Sequence, residues 1–246
     1  MRKGRFSWRL LAMILLIIAA FASAAFALRP LLYNVEKTRE IKRENKQFYM
    51  NAEIVQEQAV EKQEPIPYEQ LYTAMQKYNE WLIEIRQGNL TTRAATEIPA
   101  VSMTQFGLPD EVFGVIRIPA MDLEMPIYLG ASEENMANGA AVLGQTSVPI
   151  GGSSTNSVIA GHRGYGGYKY FKDIEVLKTG DKVYITNLWG ELVYEVTEIR
   201  IVSPNDVEAI LIQEGKDMVT LMTCHPYASG GKFRYLVFCE RCLDEE

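Results

Sequence analysis

The chain has 246 residues, of which 48% are hydrophobic, 23% charged and 10% aromatic, enough to bury one sizeable core with accessories. Its net charge is −6, so nothing suggests nucleic-acid binding, which normally relies on a basic face, and no nucleic-acid partner is expected. With two histidines, three cysteines and a single CxxC pair (Cys239, Cys242), a closed zinc site is not expected, and neither is a cofactor.

Four basic residues, Arg2, Lys3, Arg5 and Arg9, open the chain. Leu10–Leu28 follows, 19 residues without a charge. As a helix this run spans about 28 Å, close to the hydrocarbon thickness of a bilayer. The basic flank places residues 1–9 in the cytoplasm and everything after Arg29 outside, anchored by one span. A cleaved signal peptide, with Ala25-Phe26-Ala27 as its small-x-small site, is the other reading of the same residues.

From Asn34 to Glu64 the chain is dense in Glu, Lys, Arg and Gln, which predicts a solvated juxtamembrane helix or stalk, broken by Pro65 and Pro67. Leu71, Met75, Tyr78, Leu82 and Ile85 then recur at helical spacing and predict one apolar stripe on a helix over 68–87. Gln87–Asp110 has no sustained period, and a loop of that length is a lid or a linker. Residues 29–110 therefore read as juxtamembrane helices with a candidate lid, and 111–246 as the main folded domain.

Short strand-like runs fill the second half: Val112–Ile118, Leu123–Tyr128, Ser157–Ala160, Lys182–Asn187, Glu191–Ile201, Met218–Cys224 and Lys232–Glu240. Asn187–Gly190 marks a hairpin turn, and short helices are predicted at Ser132–Asn138 and near Pro204–Ile212. Many short strands with Gly/Pro turns make the domain mainly β, a sandwich or a closed barrel.

Cys224 ends a β-branched strand and is followed by the Gly-rich Ser229-Gly230-Gly231, which sets its thiol at an accessible rim. His162 ends another strand between Gly161 and Gly164. His225 competes with it as a base, but adjoins Cys224 and must point to the other side of the strand. Arg234 lies ten residues after Cys224 on the next run, where an always protonated donor suits an acyl-transfer oxyanion. A thiol, a base and a guanidinium are the parts of nucleophilic acyl transfer. A secreted cysteine peptidase would use the same residues, and a non-catalytic anchored scaffold would need none of them.

The run Thr220-Leu221-Met222-Thr223-Cys224, the Ala-Gly-His-Arg-Gly turn upstream and the downstream arginine resemble the sortases, Gram-positive surface enzymes that join proteins to the cell wall or to each other. Gly114-Val115-Ile116-Arg117-Ile118-Pro119, Met125-Pro126-Ile127-Tyr128 and Leu143-Gly144-Gln145-Thr146-Ser147 resemble the pilus-building class C members. The resemblance covers about half of the chain and implies a closed β-barrel of about eight strands. It also implies cleavage of an LPxTG-like sorting signal between Thr and Gly, a thioester on Cys224, and transfer to an amine. The acceptor that the resemblance implies is a pilin lysine or a cell-wall precursor. His162, Cys224 and Arg234 carry the family's catalytic positions. Thr223 is expected to line the substrate site, and Met103 or Phe106 to plug the cleft as part of a lid over Thr92–Pro109. The Asp-Pro-aromatic lid motif of pilus sortases does not occur in Gln87–Asp110, so class D or another lidless class is the alternative subclass.

Overall fold

The structure is a computed structural model that describes residues 8–85, 87–88, 90, 101–108, 111–164 and 168–242. Arg2, Lys3 and Arg5 and most of the candidate lid (92–100 and 109) lie outside the described residues.

One helix, α1 (Trp8–Lys62), runs through Pro30 and unites the apolar span with the charged segment after it. Trp8–Leu28 exposes its apolar side chains and no described part of it is buried in the protein, as a lipid-facing helix requires. The second part is not the solvated stalk the composition predicts. Lys37, Ile41, Asn45, Phe48, Ala52 and Ala59 form a buried stripe at spacings of three, four and seven residues. The charged residues between them occupy the remaining faces, and so mask the stripe from any reading based on composition. Polar contacts fix its register: Lys37 Nζ donates to Asn138 Oδ1 at 2.9 Å, Tyr128 Oη to Glu44 Oε2 at 3.0 Å, and Gln56 Nε2 to the Leu188 carbonyl at 3.4 Å. Helix α2 (Glu69–Glu84) buries Leu71, Met75, Tyr78 and Leu82 of the predicted stripe, and Ile85 is its half-buried C-cap.

Eight strands close into a barrel in the order β1-β2-β3-β4-β7-β8-β6-β5. They are β1 (Val112–Ile118), β2 (Leu123–Leu129), β3 (Ala140–Val142), β4 (Thr155–Ala160), β5 (Lys182–Asn187), β6 (Gly190–Val202), β7 (Asp217–His225) and β8 (Phe233–Arg241). The short helix α3 (Glu133–Asn138) starts at Ser132, whose hydroxyl accepts from the Asn135 amide at 3.1 Å, the usual N-cap arrangement. β3 is three residues long and escapes a period-2 reading; the helix expected near Pro204–Ile212 shrinks to a 3-10 turn at Glu208–Ile210. The predicted hairpin forms, with Asn187 Oδ1 accepting from the Trp189 amide at 2.9 Å.

Two pairs are parallel, β2·β3 and β4·β7, and the second positions the site. Parallel neighbours end at the same rim, so the residues after β4 and those ending β7 meet there. β8 runs antiparallel to β7 and starts at that rim. Along β7 the odd residues Val219 and Leu221 enter the barrel core with Val237 and Cys239, whereas Met218 and Met222 face an outer cluster with Leu236, Phe238, Ile210 and Leu90.

Candidate active site

Cys224 and Arg234 are direct cross-strand partners on β7 and β8. Both have even parity and share the outward face with Met222 and Leu236. The loop between the strands folds over them at Gly231. A Cβ placed on Gly231 would stand 3.3 Å from Cys224 Sγ and 3.1 Å from Arg234 Nη1, so thiol and guanidinium face one small volume roofed by a bare backbone. Gly231 also has φ +84°, which glycine adopts freely. Arg234 Nη1 donates to the Gly231 carbonyl at 2.9 Å, which fixes the planar fork and leaves its other donors for a ligand.

His162 arrives on the loop that leaves β4. That loop is stitched to β7 twice: the Gly161 amide donates to the Met222 carbonyl at 3.0 Å, and Thr223 Oγ1 donates to the Gly161 carbonyl at 2.7 Å. Thr223 has odd parity and is buried, so it does not line the substrate face as the sequence reading expects; it holds the His162 loop instead. Gly161 has no room for a side chain, because a Cβ there would be 2.7 Å from the Phe171 ring. The Phe171 amide donates to the His162 carbonyl at 2.9 Å, and the Tyr170 ring stands edge-on to the imidazole at 5.8 Å. Burial lowers the His162 pKa below its ordinary value and favours the neutral ring.

His225 lies on the opposite face, as its parity requires. Its ring is 5.5 Å from that of Tyr235, and Nδ1 lies 3.2 Å from Glu175 Oε1 without hydrogen-bond geometry. Glu175 pairs through its other oxygen with buried Arg163 at 2.8 Å, so this carboxylate spans the two residues that follow His162 and Cys224.

Beside Arg234 an apolar groove of about 140 Å3 runs between Leu90, Val202, Val207, Ile210, Met222 and Leu236. Leu90 enters it from the end of the α2 segment, and Gln87 anchors that segment: its Nε2 donates to the Gln145 carbonyl at 3.0 Å and its Oε1 accepts from the Ile212 amide at 2.6 Å. Sequence reasoning assigned none of the groove's apolar residues to the site, and Leu90 was the least legible of them. Within an aperiodic segment, one leucine carried no signal of where it docks.

The structure does not bring Met103 and Phe106 to this groove. Met103 is buried among Phe48, Val55, Leu108 and Leu188, and Phe106 lines a cavity of about 630 Å3 between α1 and α2. The α1 stripe takes up Met103, and Glu111 fixes the turn by accepting from the Met103 amide at 3.1 Å and from Thr104 Oγ1 at 2.5 Å. The plug assignment is therefore corrected. Cys239 is fully buried, and burial raises its pKa well above the ordinary thiol value; Cys242 Sγ accepts from Lys182 Nζ at 3.2 Å. Both are free thiols, and no cluster of three or more metal-type ligands occurs among the described residues.

The sortase domain model matches residues 116–242. Sortase A of Bacillus anthracis is 36% identical over 127 residues, 52% of this chain and 58% of that protein, and sortase D of Bacillus subtilis is 27% identical over 52% of this chain and 63% of that one. The chain thus spans less than two thirds of the curated relatives it matches. Among solved structures, Streptococcus pneumoniae sortase C superposes with a TM-score of 0.66 at 31% identity, covering 82% of this chain and 97% of that one. Streptococcus agalactiae sortase C1 superposes with a TM-score of 0.62 at 32% identity, over 73% and 92% of the two chains. With the domain matched over half of its length, and the eight-stranded barrel shared with these structures, the chain belongs to the sortase family.

Proposed function

We propose that this protein is a membrane-anchored cysteine transpeptidase that cleaves an LPxTG-like sorting signal and transfers the acyl part to an amine. The observation that carries the reading is the cross-strand pair Cys224–Arg234 under Gly231, with His162 on the loop that follows β4, the strand parallel to β7. Cys224 gives its thiol proton to His162 as Sγ attacks the scissile carbonyl, a C–S bond forms as the C–N bond breaks, and the departing amine takes that proton from His162. Arg234 holds the carbonyl oxygen while it carries negative charge. An incoming amine then gives a proton to His162, attacks the thioester and releases the thiol. Water must lose that competition, and the apolar groove beside Arg234 favours a peptide over solvent. The groove suits the apolar residues of the signal, and the acceptor is a pilin lysine or a cell-wall amine.

The N-terminal half of α1 is the anchor in this reading, with the barrel outside the cell. The test is mass spectrometry of products from a panel of LPxTG-like peptides with an added amine. A joined amide and a thioester mass on Cys224 are expected. Free acid as the sole product would make the protein a peptidase, and an unchanged panel would leave it without this activity.

A further inference from the structure

The exposed large hydrophobic side chains of the described residues fall into two groups: those on α1 and α2, and a set of four elsewhere, Val176, Ile201, Tyr227 and Phe233. All four stand at the catalytic rim. Tyr227 and Phe233 lie in or beside the β7–β8 loop, Ile201 pairs with Tyr235 one residue past Arg234, and Val176 follows the carboxylate that reaches His225. Lysines interleave with them: Lys172 Nζ is 5.4 Å above the Tyr227 ring and Lys232 Nζ 5.6 Å from the Phe233 ring. Aromatic rings flanked by lysines suit the boundary between lipid headgroups and acyl chains.

Helix α1 determines where that rim stands. Tyr33 comes close to Tyr170, whose hydroxyl donates to the Ala137 carbonyl at 2.6 Å and whose ring abuts His162. This contact lies five residues past Leu28, about 7.5 Å along the axis. α1 still exposes Leu31, Leu32 and Val35 at that level, so the barrel is engaged before the apolar surface of the helix has ended. Gln56 meets the hairpin at Leu188 a further 23 residues on, which is about 35 Å farther from the span. The side of the barrel carrying His162 is thus the side nearest the bilayer, and the β5–β6 hairpin is remote from it.

We infer that the catalytic rim rests on the outer surface of an anionic bilayer, with Tyr227 and Phe233 at the headgroup boundary and Lys172 and Lys232 on the lipid phosphates. This rests on the reading of α1 as an anchor. A peptide bond close to the membrane surface then reaches Cys224 without the chain that carries it leaving the bilayer, and substrates are presented from the lipid side.

The test uses the full chain in nanodiscs of phosphatidylcholine and phosphatidylglycerol with a headgroup-linked acceptor dye. A donor is attached at position 229 (Ser229→Cys) or 191 (Glu191→Cys) in a Cys224→Ala/Cys242→Ser background, in which buried Cys239 is the remaining thiol. Energy transfer is expected to be several-fold greater from position 229 than from 191. Lys172→Glu with Lys232→Glu should weaken transfer from 229 and leave 191 unchanged. Equal or reversed transfer in chains that remain on the discs would overturn the orientation alone. Transfer from 229 that ignores the charge reversal would overturn the lipid contact. Chains that leave the discs would overturn the anchor, and the inference with it.

Discussion

Cys224 and Cys239 stand on neighbouring strands of one sheet, and the barrel treats them in opposite ways. Cys239 pairs across the ladder with Val219, faces inward and is sealed in the core, where burial raises its pKa and leaves it the role of a small hydrophobe. Cys224 pairs with Arg234, faces outward and ends its strand at the rim where a second strand delivers His162. Neither difference lies in the residue type. Parity chooses the face, and the parallel β4·β7 pair chooses the rim. In the proposed function, which thiol reacts is a matter of address within the sheet.

Exchanging the two cysteines for alanine, one at a time, gives the largest expected contrast. Cys224→Ala should abolish thioester formation and transfer while the melting temperature stays close to that of the parent. Cys239→Ala should keep turnover and lose stability, by about 0.5–3 kcal/mol as for most core changes. A thioester trapped on Cys239 would erase the contrast. Arg234→Lys comes next. An exposed ion-pair arginine would tolerate lysine, since such pairs contribute about 0–1 kcal/mol. A fork held by the Gly231 carbonyl and aimed at an oxyanion would not; loss of such a donor costs about 2.7–4 kcal/mol, or on the order of 100- to 1,000-fold in turnover. Transpeptidation rates beside melting curves decide between these outcomes.

Much of this arrangement was legible in the sequence because it depends on local pattern. Seven of the strands show as runs, and parity alone sends His225 away from Cys224. Pairing across the sheet was not legible. Nothing in Thr223 reveals that its hydroxyl reaches the Gly161 carbonyl 62 positions back, so it passed for a substrate contact. Met103 and Phe106 failed for a related reason: their partner is the buried stripe of α1, hidden within a run of charges. Long-range partners are set by topology, and a window of neighbouring residues does not contain them.

Thr223 sharpens the comparison at a smaller scale, because its odd parity makes it a neighbour of Cys224 that supports the site from behind. Thr223→Val keeps the shape and removes the hydroxyl, leaving the Gly161 carbonyl without that donor. The expected loss is about 1–3 kcal/mol of stability, the usual cost of orphaning a buried group. Turnover should fall with little change in KM, and Thr223→Ser should restore both. A substrate contact would instead raise KM and leave the melting temperature alone.

The smallest expected effect is the pH dependence contributed by His162. Burial lowers its folded pKa below the unfolded value, so the folded state binds fewer protons than the unfolded one through that interval. The sign follows: the contribution is fully present above the unfolded pKa of about 6.5 and is lost as pH falls through the folded pKa. Parent and His162→Asn should therefore diverge on acidification below that value, the parent losing melting temperature faster. The chain has two histidines, so NMR titration reads His162 directly against His225 on the other face of the site. A His162 titration at or above the ordinary histidine value would mean that its ring is solvated or paired with a negative charge. The contrast between an enclosed base and an accessible thiol would then have to be redrawn, with the Cys224 side of the rim as the more enclosed of the two.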